Sequence, residues 1–159
     1  MKKTFLNIIL ITLSIHSLGQ NADSLISRSH FGITLGYISQ NNNFWTIGGL
    51  LGKHYRSLHV PSHGYGMAAE FNLNQSNPIY GAKVFYEYNF GIILGSRINA
   101  TTYFKGSVKD FRLTPEIGLS GLGIINFFYG YNIPVVGSEI SEVSRHRFNI
   151  TLNIIGRKD

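Results

Sequence analysis

The sequence predicts an all-β protein, an eight-stranded antiparallel up-and-down transmembrane β-barrel. Three observations carry this expectation. Eight segments of about ten residues alternate large apolar residues with small or polar ones, the period of a strand with two unlike faces. The charged residues inside those segments all fall on the non-apolar face. The N-terminus reads as an export signal.

The export signal begins with Lys2 and Lys3, continues through the apolar run TFLNIILITLSI, and ends in HSLGQ, where Ser17 and Gly19 are the small residues a signal peptidase needs. The apolar run is short for a spanning helix and is interrupted by Asn7, Thr12 and Ser14. Residues 1–19 are therefore expected to be removed. Residues 20–29 form an N-terminal periplasmic segment, 30–156 the barrel, and 157–159 a C-terminal tail. Removing the two signal lysines takes Lys plus Arg from 14 to 12 against 8 acids, so the net charge falls from +6 to +4. That small excess on an exported chain argues against a nucleic-acid partner. The absence of cysteine excludes disulfides and thiolate metal sites.

In the first strand, HFGITLGY, Phe31, Ile33, Leu35 and Tyr37 oppose His30, Gly32, Thr34 and Gly36. FWTIGGLLGKHY places Trp45, Ile47, Gly49 and Leu51 together. In YGMAAEFNLN, Tyr65, Met67, Ala69, Phe71 and Leu73 oppose Gly66, Ala68, Glu70 and Asn72. YGAKVFYEYNF sets Tyr80, Ala82, Val84, Tyr86, Tyr88 and Phe90 against Gly81, Lys83, Phe85, Glu87 and Asn89. The fifth segment, GIILGSRINATTYF, turns Ile92, Leu94, Ile98, Ala100 and Phe104 away from Gly95, Arg97, Asn99 and Thr101. FRLTPEIGLSG does the same with Arg112, Thr114, Glu116, Gly118 and Ser120. IINFFYGYNI and RFNITLNII complete the set, with Arg147, Asn149, Thr151 and Asn153 on the polar face of the last.

A strand of this length crosses a bilayer when tilted, and a closed barrel leaves no unpaired edge in hydrocarbon. Glu70, Lys83, Glu87, Arg97, Arg112, Glu116 and Arg147 are then expected to face the lumen. There they form a network of paired charges that plugs it, because eight strands enclose only enough room for side chains. A soluble exported barrel with the oily face inward, holding an apolar ligand, produces the same alternation with inside and outside exchanged. Against it stand Tyr37, Tyr80, Tyr86, Tyr88, Tyr129 and Tyr131, whose hydroxyls would all need buried partners.

The short sequences NFG (89–91) and SGLG (120–123) suit inner turns. FKGSVKD (104–110) and the stretch 136–145 suit outer loops, and both are candidate surfaces for a partner. KHYRSLHVPSHG (53–64) is long for an inner turn. Pro115 is awkward within a strand because it donates no ladder bond.

RLTPEIGLSGLGIINFFYGYNIPV (112–135), followed by SRHRFNITLNI (144–154), resembles the closing strands of small exported β-barrels of Gram-negative outer membranes. The architecture as a whole is similar to OmpA-type eight-stranded barrels. The resemblance implies outer-membrane lipids and the barrel-assembly machinery as partners, and it carries no catalytic residues. This chain departs from the pattern by finishing on NIIGRKD where such barrels commonly finish on an aromatic residue.

The function expected is an outer-membrane barrel with a charge-filled, closed lumen and a structural or surface-interaction role, without metal or cofactor. A lipid-modifying enzyme would need a serine, a base and an acid at one rim. Ser141, Glu142, Ser144 and His146 are the available set. His54, His59 and His63 could supply nitrogen ligands, but no pair has an i, i+4 placement on a recognisable helix, so no metal site is expected there.

Overall fold

The computed structural model describes residues 28–54, 62–72, 77–90, 93–121, 123–137 and 139–155. The expected signal peptide and tail, His59 and most of the 53–64 connection lie outside them. Nine strands appear in chain order: β1 Arg28–Ser39, β2 Phe44–His54, β3 Ser62–Phe71, β4 Tyr80–Phe90, β5 Leu94–Lys105, β6 Val108–Gly121, β7 Ile125–Tyr131, β8 Ile133–Gly137 and β9 His146–Ile155. Consecutive strands from β1 to β7 pair antiparallel, β8 pairs with β6, β7 with β9, and β1 with β9 to close a barrel. β7 and β8 share one place in that wall, so the barrel has eight strands.

The stagger of the barrel follows from its cross-strand partners. From Ser29 the path runs through Lys53, His63, Tyr88, Ser96, Ile117, Tyr129 and Phe148, and returns to β1 at Ser39. One circuit therefore climbs the ten residues between Ser29 and Ser39. With eight strands, that stagger tilts each strand by about 40°. A ten-residue strand then spans about 25 Å of height at about 3.3 Å per residue.

The predicted alternation is realised with the oily face outward. Along β4 the odd positions of the strand are exposed or half-buried, while Gly81, Lys83, Phe85, Glu87 and Asn89 are buried. Outside, Tyr37, Trp45, Phe71, Tyr80 and Phe104 are successive cross-strand partners, forming an aromatic row across β1–β5 near the hairpin end. Phe31, Leu51, Tyr65 and Tyr86 form a second row toward the other end. Between the rows the outward residues of β1–β4 are Ile33, Leu35, Gly49, Ile47, Met67, Ala69, Val84 and Ala82, none of them polar.

Three local features depart from the sequence reading. FKGSVKD is no loop: β5 and β6 run to Lys105 and Val108, joined by a two-residue turn in which Gly106 takes φ +58°. The seventh strand breaks at Asn132. Pro115 lies inside β6, opposite that break. β6 pairs with β7 over Glu116–Gly121 and with β8 over Asp110–Leu113, so Thr114 and Pro115 fall in the gap between the two ladders. A residue without an N–H is tolerated where a ladder is already interrupted.

Candidate functional site

All seven charged residues assigned to the lumen by the sequence are buried inside the barrel, and Asp110 joins them. Four acids thus face four bases. Among the described residues, every other charged residue (Arg28, Lys53, Lys105, Lys109, Glu139, Glu142 and Arg145) lies at or near a strand end or in the segment 139–145.

Six of the eight form one alternating ladder. Lys83 Nζ lies 2.8 Å from Glu70 Oε1, and Arg147 Nη2 donates to the same oxygen at 3.0 Å. Arg147 Nε approaches Glu116 Oε1 to 3.0 Å as an ion pair. Arg97 Nη1 stands 3.8 Å from Glu116 Oε2, and Arg97 Nε donates to Glu87 Oε2 at 3.1 Å. The order Lys83, Glu70, Arg147, Glu116, Arg97, Glu87 alternates sign at every step, so no buried charge lacks a partner.

Backbone register dictates much of this. Glu87, Arg97 and Glu116 are consecutive cross-strand partners on β4, β5 and β6. Gly130 follows on β7 and Arg147 on β9. Gly130 is what lets the row close. A Cβ there would sit 2.7 Å from Glu116 Cγ and 3.2 Å from Arg147 Cγ, in the space where the two side chains meet.

Neutral groups complete the network. The Tyr103 hydroxyl donates to Glu70 Oε2 at 2.6 Å and accepts from Arg147 Nη1 at 3.2 Å. Arg97 also donates to Thr151 Oγ1 at 3.2 Å, and Asn89 donates to Glu87 Oε1 at 3.0 Å. The Arg97 guanidinium is flanked by the rings of Phe85 and Phe128, 5.1 and 4.8 Å from their centroids. These contacts place cation-π attraction beside the charge pairs in a buried interior. Ion pairs and rings together fill the middle of the lumen.

The remaining pair, Asp110 and Arg112, does different work at the hairpin end. Arg112 Nε and Nη2 donate to Asp110 Oδ2 at 2.9 and 2.6 Å. Its other donors reach out of the wall strand to the carbonyls of Val143 at 2.7 Å and Ile140 at 3.0 Å. Asp110 Oδ2 also accepts from Ile140 N at 2.8 Å. The segment 139–145, expected as an outer loop, therefore folds into the mouth. Ile140 and Val143 are 3% and 2% exposed, packed with Ile38, Phe44, Ile79 and Tyr103. Asn132, at the break in the seventh strand, holds the far side through Asn132 N to Arg145 O and Asn132 Nδ2 to Ser144 O, at 2.7 and 2.6 Å.

The catalytic set weighed for the rim is not assembled around a serine. The Nδ1 of His146 faces the Tyr129 hydroxyl at 2.6 Å, Ser144 Oγ accepts from the backbone N–H of His146, and Ser141 Oγ donates to Glu142. Glu142 is engaged by Lys105, which holds its carboxyl below the usual carboxylate range. The ring of His63 lies against Tyr86. Among the described residues no group of three or more His, Asp and Glu is placed to hold a metal ion.

Tyr103, Asp110 and the apolar cap were not read from the sequence. Asp110 shares the parity of Arg112 and would have been found by extending the sixth strand one step toward its N-terminus. Tyr103 shares the parity of Arg97, Asn99 and Thr101 in the same way. No protein-family model, curated protein or solved structure matches this chain.

Proposed function

We propose that this chain is a membrane-spanning β-barrel of outer-membrane type, delivered by its N-terminal signal, with a lumen sealed against ion flow and a structural or surface-interaction role. The observation that carries the reading is the outer wall. On β1–β4 its band of Ile, Leu, Val, Met, Ala and Gly lies between one aromatic row and a second, largely aromatic one, and its described charges stand only at the ends or in the lumen. Hydrocarbon cannot solvate charge or unpaired backbone, and a closed barrel with an apolar exterior about 25 Å tall meets both demands. In water the same exterior would expose Phe31, Trp45, Tyr65, Met67, Ile117 and Phe148, each more than half accessible, over a continuous surface. The soluble alternative needs the opposite facing, with charges outside and oil within.

The closed-lumen part of the reading rests on the neutral, fully paired ladder and on the cap. The resemblance of the C-terminal strands to small outer-membrane barrels supports the same placement. Expression with its signal in a Gram-negative host, followed by fractionation, tests it. The expected result is recovery in an outer-membrane pellet that resists alkaline washing, with unboiled protein migrating faster than boiled protein in detergent gels. Recovery in the soluble periplasm without a heat-dependent shift contradicts it.

A further inference from the structure

We propose that residues 139–145 form a lid over the hairpin end of the lumen, held shut by the Asp110–Arg112 pair as its latch, and that this lid opens independently of the ion ladder beneath it. Among the described residues, the latch is the one buried ion pair that also bonds backbone groups of the segment 139–145. Arg112, fully buried, spends its Nη donors on Ile140 and Val143 carbonyls, and Asp110 takes the Ile140 N–H. Among the described residues the ladder has no hydrogen bond to the lid; Glu70 and Arg147 reach the cap through the Tyr103 hydroxyl. Two seals with separate anchors follow: a lid riveted to β6, and a plug riveted across β3, β4, β5, β6 and β9.

Asn132 bonds the carbonyls of Ser144 and Arg145 and so anchors the end of the lid that leads into β9, which leaves the latch to hold Ile140 and Val143. The two ion pairs of the lid are weaker anchors. The Lys105–Glu142 pair is partly exposed and shared with solvent, and Arg145–Glu139 lies in the open at 3.6 Å. Ile140 and Val143 contribute apolar burial, but both sit on a segment with no ladder of its own. Losing the latch strips the Val143 carbonyl of its Arg112 donor and leaves the Ile140 carbonyl with the Val143 N–H alone, and water replaces the lost donors only when the lid swings out.

The chain has no cysteine, so one introduced thiol reports on opening. Thr46 suits the purpose. It is buried, it faces the lumen two residues inside the cap residue Phe44 on β2, and its hydroxyl has no hydrogen-bond partner to lose. In detergent-folded protein carrying Thr46→Cys, a water-soluble methanethiosulfonate is expected to react slowly. Adding Asp110→Asn with Arg112→Met removes the latch without stranding a buried charge. The thiol is then expected to react at least tenfold faster, while the unboiled protein still migrates as a folded barrel. Neutralising the surface pair with Lys105→Met and Glu142→Gln should change the rate less than twofold.

Three outcomes overturn the proposal: equal reactivity with and without the latch, fast reaction with the latch intact, or equal acceleration by the surface-pair variant. Loss of the folded band in the latch variant overturns it as well, because Asp110 and Arg112 would then hold the wall and not a lid. None of these readouts requires a membrane, so failure of the lid and failure of the membrane reading remain distinguishable.

Discussion

The middle of the lumen and its hairpin end are closed by opposite chemistries. In the middle, six charges from β3, β4, β5, β6 and β9 alternate in sign and bond mainly to one another. At the hairpin end, Ile38, Phe44, Ile79, Ile140 and Val143 pack around the ring of Tyr103, and the buried charges Asp110 and Arg112 bind backbone as well as each other. The ladder gains its attraction from low dielectric and is costly to break, since any vacancy strands a buried ion. The cap gains from excluding water and gives way in proportion to the area lost. One barrel thus combines a cooperative polar seal with a graded apolar one, and Tyr103, whose ring packs in the cap while its hydroxyl reaches Glu70, joins the two.

The largest effect that would break this contrast is at Glu70, which holds Lys83, Arg147 and Tyr103 together. Glu70→Leu leaves two buried cations without their shared carboxylate and is expected to cost about 3–5 kcal/mol in urea unfolding of the reconstituted barrel. A loss below about 1 kcal/mol would show that the ladder is not cooperative. Ile140→Ala in the cap should cost less, about 2 kcal/mol, at the low end for a buried isoleucine because one side of its pocket is a segment able to relax. Gly130→Ala sharpens the comparison from the backbone side. The new methyl must push Glu116 and Arg147 apart, and about 1 kcal/mol of destabilisation is expected, within the range for overpacked sites.

The smallest effect is at the surface. Lys105 lowers the pKa of the Glu142 carboxyl, so its contribution to holding the lid is fully present above the ordinary carboxylate range and fades as pH falls through the lowered value. The Thr46→Cys reaction measured from neutral to acidic pH should accelerate less than twofold, because the pair is screened by solvent. A large acceleration would move the latch from Arg112 to Glu142.

Much of the barrel was legible because period two is a local property. Lys83 and Glu87 sit two steps from Phe85 on one face of β4, and neither the register nor the charges depend on anything distant. The same rule placed Arg97, Arg112, Glu116 and Arg147. The cap was illegible because it is made at a distance. Ile140 and Val143 belong to a stretch with no periodicity, and their burial depends on a guanidinium far back in β6. Ile38 has the parity of the lumen face but lies one step beyond the run HFGITLGY, and Phe44 opens FWTIGGLLGKHY on the face opposite Trp45 with nothing local to mark it as part of a cap. The turn at Gly106 and Ser107 reads as a longer loop from the sequence, since Lys105, Lys109 and Asp110 have solvent-facing chemistry, whereas Asp110 points inward. The ion-pair partners themselves needed the stagger of the wall, which brings Arg147 on β9 to Glu70 on β3.

The central claim is that the outer wall faces hydrocarbon, and the single tryptophan of the chain tests it directly. Trp45 faces outward in the aromatic row, 53% exposed and in edge-to-face contact with Tyr37 at 5.2 Å. In vesicles of lipids brominated at defined acyl positions, its fluorescence is expected to be quenched most by bromines near the headgroup and to resist aqueous iodide. Strong quenching by iodide with none by brominated lipid would contradict the account and turn the barrel's oily face into a surface awaiting some other cover.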